Sequence, residues 1–152
     1  MANENRGVTE EQRAQRHESR TSSTFMEFIR DLCAQGNFDE EQAVRAAAAV
    51  MTRLEQRLTG EESQDLEAQL PHKLREILAE ARRPKEGGPV FKFSRDDFLQ
   101  MIANDLNVDS KRAESIIRAV FTTVRAHITE GEADDVTTQL PKDMQALWAR
   151  PI

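Results

Sequence analysis

One tripeptide occurs twice in this chain, as Gln69-Leu70-Pro71 and again, 70 residues later, as Gln139-Leu140-Pro141. The same shift of 70 positions aligns the rest of the two halves without a gap, for example Asp39 with Asp109. Unrelated segments would not keep their register over such a length. The sequence therefore predicts a tandem repeat, and any fold for this chain has to place two similar units together.

Both halves carry the sequence signals of helices in the same order. Apolar residues recur at spacings of three and four, which places them on one face of a helix. We predict an all-α fold, a helical bundle made of two tandem four-helix repeats related by a pseudo-twofold axis. The predicted helices cover residues 24–35, 39–58, 60–70, 71–82, 94–106, 109–128, 130–140 and 141–148.

The repeat also predicts the domain organisation. Repeat one spans residues 24–82, a linker without helical pattern covers 83–92, and repeat two spans 93–148. Because a unit of this size buries little surface alone, we predict that both repeats form one domain, residues 23–152. Residues 1–22 contain few apolar side chains, which is typical of a flexible polar tail.

The longest predicted helix of each half should lie near the pseudo-twofold axis. Small residues of the first copy are expected to receive large residues of the second copy: Ala46, Ala47 and Val50 against Ile116, Ile117, Val120 and Phe121. This packing would use up the apolar stripes and leave charged helix faces, the linker and the tail as surfaces for a partner.

Short polar residues mark the starts of the predicted helices. An aspartate precedes each long helix as its N-cap, and a Thr-x-x-Glu capping box precedes each third helix. In such a box the hydroxyl and the carboxylate both accept from free backbone N–H groups. The sequence predicts helix caps at Asp39, Thr59, Glu62, Asp109, Thr129 and Glu132. Gly36, before Asn37, is expected to take the left-handed conformation that ends the first helix.

The repeated Gln-Leu-Pro motif is predicted to form the corner between the third and fourth helices. Its leucines should be buried, and its prolines should stop the third helix and open the fourth. Its glutamines, Gln69 and Gln139, are expected to bond to backbone groups at this break, without any ligand.

The composition is that of a soluble helical protein. Charged residues make up 32% of the chain, and the net charge is -6. The sequence has no apolar run long enough for a membrane span and no secretory signal, so we expect a cytoplasmic protein. The single cysteine, Cys33, excludes an internal disulfide and a multi-cysteine metal site.

Catalytic chemistry is weakly supported. The three histidines, His17, His72 and His127, are expected at solvated surface positions. Glu62 with Asp65, and their copies in repeat two, could hold a hard cation or act as an acid–base pair, but carboxylates in a first helical turn also favour its positive end, and this interpretation is preferred. No phosphate loop, dinucleotide fingerprint or nucleophile motif occurs. We therefore predict no catalytic, cofactor-binding or metal-binding residues.

The paired Gln-Leu-Pro turns, the alanine-rich capped helix and the acidic capping box together resemble the bacterial domain of unknown function 2267, over about residues 24–148. That resemblance implies an all-helical, two-repeat domain without a known activity. A second, weaker resemblance joins residues 98–132 to the two-helix dimerisation core of the histone-like protein HU. Where HU continues into a sheet and basic arms, this chain has a third helix, so the likeness implies a packing geometry rather than nucleic-acid binding.

Two classes of function remain open at this point. The first is a protein-interaction or scaffolding module, a monomer or weak homodimer, whose expected partner is another protein. The alternative is a nucleoid-associated or nucleic-acid-binding protein, supported by the HU-like helix pair and by a basic cluster made of Lys73, Arg75, Arg82, Arg83 and Lys85. Nucleic-acid binders usually concentrate positive charge on a basic domain, and this chain is acidic, so a nucleic-acid partner is not expected. An enzyme is a distant third.

Overall fold

A computed structural model describes residues 25–82 and 92–149, and within them every regular element is an α-helix. The all-α prediction is confirmed. Residues 25–36 are helical and belong to α1. The later helices are α2 Glu40–Arg57, α3 Gly60–Ala68, α4 His72–Ala81, α5 Arg95–Leu106, α6 Ser110–His127, α7 Glu130–Gln139 and α8 Lys142–Trp148. The described helix ends lie within two residues of the predicted ones.

Three parts of the predicted organisation fall outside the described residues. These are the tail, the linker apart from Lys92, and the last residues of the chain. Among the helices that the structure describes, none combines the length and the apolar character needed to cross a membrane.

The two 18-residue helices, α2 and α6, organise the core. Helix α2 packs against α4, α5 and α6, while α6 packs against α5 and α8, and α3 packs against α7. The contacts of α2 with α5 and α6, and of α3 with α7, all join one half of the chain to the other. Apolar side chains of both halves consequently form a single buried cluster.

The end of α1 differs from the prediction. Gly36 does not take the left-handed conformation; Asn37 does, with φ 55°, and so does its copy Asn107. Asparagine tolerates this region better than most residues because its short polar side chain can bond locally. Gly36 has a different role, since a Cβ there would lie 2.1 Å from Cε2 of the Phe38 ring. The glycine makes room for that ring, which packs against the core.

Candidate functional site

The Gln-Leu-Pro corners are buried at their leucines. Leu70 and Leu140 are each 4% exposed, and both belong to the common core. Pro71 and Pro141 act as N-cap residues, one position before the first residues of α4 and α8. Each corner therefore anchors a change of chain direction to the hydrophobic interior.

The glutamines of the two corners make reciprocal hydrogen bonds between the halves. Thr129 N donates to Gln69 Oε1 at 2.8 Å, and Thr59 N donates to Gln139 Oε1 at 2.9 Å. The partners are backbone groups, but the predicted location was wrong. Each glutamine bonds at the start of the third helix of the opposite repeat, not at the break beside it. A lone repeat could not make this bond.

The same two bonds correct the prediction for the capping boxes. Thr59 Oγ1 accepts from Glu62 N, and Thr129 Oγ1 accepts from Glu132 N, both at 3.2 Å. The carboxylates do not complete the boxes, because the backbone N–H groups that they would cap are taken by the glutamines. At the long helices, Asp39 shares a complete capping box with Gln42, and Asp109 accepts from the backbone N–H of Arg112.

Glu62 and Glu132, whose carboxyl groups do not cap their helices, face each other where α3 meets α7. They are 7% and 6% exposed, their side chains interact, and Oε2 of each is buried without a hydrogen-bond partner. Burial raises the pKa of Glu62 to about 8, helped by the hydrogen bond to Glu132 and by the charges of Glu132, Asp135 and Asp65. A proton shared between these carboxyl groups satisfies both of them better than two buried charges would.

A groove runs between α2 and α5 and reaches the end of α4. Its volume is about 480 Å³, and Ala48, Ala49 and Ala81 contribute its small side chains. Its polar lining consists of Arg45, Thr52, Arg53, Gln56, Asn104 and Asp105. It therefore combines space with hydrogen-bonding groups of both charge signs.

An ion pair fixes one wall of this groove. Arg53 donates to Asp105 through Nε at 2.8 Å and through Nη2 at 3.1 Å, which links α2 to α5. Arg53 Nη1 also donates to Gln56 Oε1 at 3.3 Å. A two-point contact between a guanidinium and a carboxylate holds both side chains in one geometry. The wall is thus ordered before any partner arrives.

One of the alanines that open the groove, Ala48, is specific to the first half. Ala48 corresponds to Arg118, whose Nε donates to Glu114 Oε2 at 3.0 Å and whose Nη1 donates to the Ala146 carbonyl at 3.4 Å. An arginine side chain therefore reaches from α6 to α8 at the position where the first half has a methyl group.

The histidines differ from one another. His17 lies outside the described residues, and His72 is 61% exposed at its side chain, as predicted. The surface prediction for His127 was wrong, because its side chain is only 14% exposed. Its Nε2 lies 2.8 Å from Asp31 Oδ2, and its ring packs edge-on against Phe28. This contact joins α6 to α1. Within residues 25–82 and 92–149, no group of three or more His, Cys, Asp or Glu side chains is arranged to hold a metal ion.

Two polar residues of α2, Arg53 and Glu55, were not identified from the sequence as candidate site residues. A signal was present, because both positions differ between the two halves: Arg53 aligns with Thr123, and Glu55 aligns with Arg125. Matching positions revealed the fold, whereas the mismatched polar positions on the central helix marked the surface special to one half.

Comparison with known proteins adds a family. A family model described as "Uncharacterized conserved protein (DUF2267)" matches residues 25–147. No curated protein matches the chain.

Proposed function

The chain belongs to the DUF2267 family, and because the description of that family names no activity, we propose from the contacts above that it is a non-enzymatic protein-interaction module. It binds a polypeptide segment of a partner in the groove between α2 and α5, acting in the cytoplasm as a monomer or weak homodimer.

The observation that carries this proposal is the groove itself. Alanine side chains let a partner chain approach the helix closely, while the surrounding amides and charged groups can bond to a peptide backbone. Among the described large hydrophobic residues, only Met26 is exposed. The surface therefore suits a small polar contact better than a large apolar interface.

The nucleic-acid alternative has less support. Four of the described arginines, Arg53, Arg82, Arg95 and Arg118, are each paired with a carboxylate. Arg82, from the basic cluster considered above, contacts two of them. These pairs neutralise part of the positive charge, and the net charge of -6 opposes the binding of phosphates.

Site-specific photocrosslinking tests the proposal. A photoreactive amino acid at Ala49 should capture one polypeptide partner, and Ala48→Arg, which copies Arg118 of repeat two, should abolish the crosslink. Arg118→Ala is the matched control and should leave the crosslink unchanged. A crosslink at Ala49 that survives Ala48→Arg would exclude the groove, and tight binding to duplex DNA that collapses with salt would favour the alternative.

A further inference from the structure

Three charged side chains from three helical segments meet in the first half. Glu55 comes from α2, Glu67 from α3, and Arg82 from the C-cap of α4. Arg82 Nη2 donates to Glu55 Oε1 at 3.2 Å and also contacts Glu67 Oε2. A cavity of about 210 Å³ lies beside them, and Thr52, Gln56, Ser63 and Gln64 complete its polar lining.

Glu55 is the unusual member of this group. It is 6% exposed, and its Oε2 is buried without a hydrogen-bond donor. Burial raises its pKa to about 9, with further contributions from the hydrogen bond and charge of Glu67, while Arg82 opposes the shift. Burial therefore favours the protonated form of Glu55, and a cation beside Oε2 would favour the carboxylate.

Arg82 supplies only a small part of the positive charge that would favour this carboxylate. Its side chain is 42% exposed, and its one guanidinium serves two carboxylates. Exposed ion pairs contribute little to stability because water screens them and the long side chain loses freedom. A second cation would find both acidic side chains already in place.

The repeat shows that the fold does not depend on this cluster. The positions that match Glu55, Glu67 and Arg82 are Arg125, Thr137 and Ile152. Helices α6, α7 and α8 form without the acidic pair, and Arg125 packs over the Trp148 ring instead. A merely structural role therefore does not explain why the first half keeps a buried carboxylate beside a cavity.

We propose that this cavity is a binding site for a guanidinium cation. Glu55 and Glu67 are its recognising groups, and Arg82 is an internal occupant that the ligand displaces. A planar guanidinium can bond to two carboxylates at once, as Arg82 already does in part, and it is less strongly hydrated than an ammonium. The guanidinium can belong to a small molecule or to an arginine of a polypeptide. This inference does not depend on the groove between α2 and α5.

A titration with methylguanidinium tests the site directly. Amide signals of Ser63 and Gln64 are followed by NMR at constant ionic strength, with potassium as the control cation. Arg82→Ala should bind about tenfold more tightly than the unchanged protein, because removal of the internal occupant raises the fraction of open sites. Arg82→Ala combined with Glu67→Gln should lose saturable binding. Circular dichroism checks that each variant stays folded.

Two results would overturn the proposal: no saturable shift at Ser63 and Gln64 in Arg82→Ala, or equal binding after Glu67→Gln. Glu67 lies at the mouth of the cluster, so its substitution remains informative even where Glu55→Gln disturbs the core. A blocked tripeptide with one central arginine forms a second arm. Tighter binding of this peptide than of methylguanidinium assigns the ligand to a polypeptide, and equal or weaker binding assigns it to a small molecule.

Discussion

The two central helices share one sequence pattern, and they differ where they face their fourth helices. In the second half, four rings line up from Phe93 through Phe98 and Phe121 to Trp148, with centroid separations of 5.8, 6.0 and 5.1 Å. In the first half the positions that match Phe121 and Trp148 are Met51 and Leu78. Aromatic pairs of this kind add stability beyond the area they bury.

The polar residues show the opposite distribution. Helix α2 carries Arg53 and the buried Glu55 beside two cavities, whereas α6 has Thr123, which bonds to its own helix, and Arg125. We infer that the second half contributes mainly stability and the first half mainly recognition. Substitutions in the two halves should therefore be separable by stability and binding measurements.

The strongest test of the comparison separates the halves. Residues 1–88 and 89–152, expressed alone, should each fail to unfold cooperatively, because α2 packs on α5 and α6 and a unit of this size buries too little surface. Mixing them should restore helical circular dichroism. If the second half alone forms a stable monomer, its aromatic core is self-sufficient and the shared-core interpretation is wrong.

The next largest effect is expected from Trp148→Ala, compared with Leu78→Ala at the matching position. Both side chains are buried, and their truncation should cost about 3–5 and about 2–5 kcal/mol respectively. Trp148 Nε1 also donates to the Ala133 carbonyl, and the loss of this buried hydrogen bond adds about 1 kcal/mol. Urea unfolding measures both variants, and equal losses would contradict a better-packed second half.

How much of this could be predicted from sequence depends on the kind of residue. The apolar stripes, the buried leucines and the aspartate caps follow local rules, so the helices were predictable. The glutamines were not, because Gln69 bonds to a residue 60 positions away and no local pattern encodes that distance. Once the glutamines capped the opposite helices, Glu62 and Glu132 were free to pair, so the error at the capping boxes follows from that at the glutamines.

The pseudo-twofold axis stays a prediction. The reciprocal glutamine bonds and the facing glutamates are the contacts that such an axis would produce. His127 and Glu55 were missed for another reason: the side chain of a charged residue on a long helix can turn inward when a neighbouring element supplies a partner. That partner is set by tertiary packing.

Glu62→Gln should change how stability depends on pH. The pKa of Glu62 is about 8 in the folded protein, above the value of about 4.3 for an unfolded chain. The folded state therefore binds more protons in this window, and stability falls as pH rises from about 4.3 to 8. Glu62→Gln should weaken that fall. Above pH 8 the free energy of unfolding of the variant should exceed that of the unchanged protein by at least about 1.4 kcal/mol, the value of one unit of pKa shift. The pKa of Glu55 is also raised, so Glu55 adds a loss of stability with rising pH to both proteins.

Thermal unfolding at several pH values measures this difference, with Glu61→Gln on the exposed side of α3 as the control. Parallel pH profiles for the Glu62→Gln variant and the unchanged protein would mean that the two carboxyl groups do not share a proton across the interface.

The smallest effects are expected at the two glutamines, and they compare the halves most closely. Gln69→Ala and Gln139→Ala each remove one acceptor from a backbone N–H of the opposite half, which should cost about 0.5–1.5 kcal/mol. Gln139→Ala should cost slightly more, because Gln139 Nε2 also donates weakly to Thr59 Oγ1 at 3.4 Å and its side chain is less exposed. Chemical denaturation measures both, and Glu61→Ala, an exposed change in α3, should stay within about 0.5 kcal/mol.

Amide exchange at Thr59 and Thr129 gives the decisive reading: each glutamine variant should speed exchange at the threonine of the other half and leave the threonine of its own half unchanged. Faster exchange at the threonine of the same half would mean that the glutamines brace their own corners and that the halves are not capped by each other.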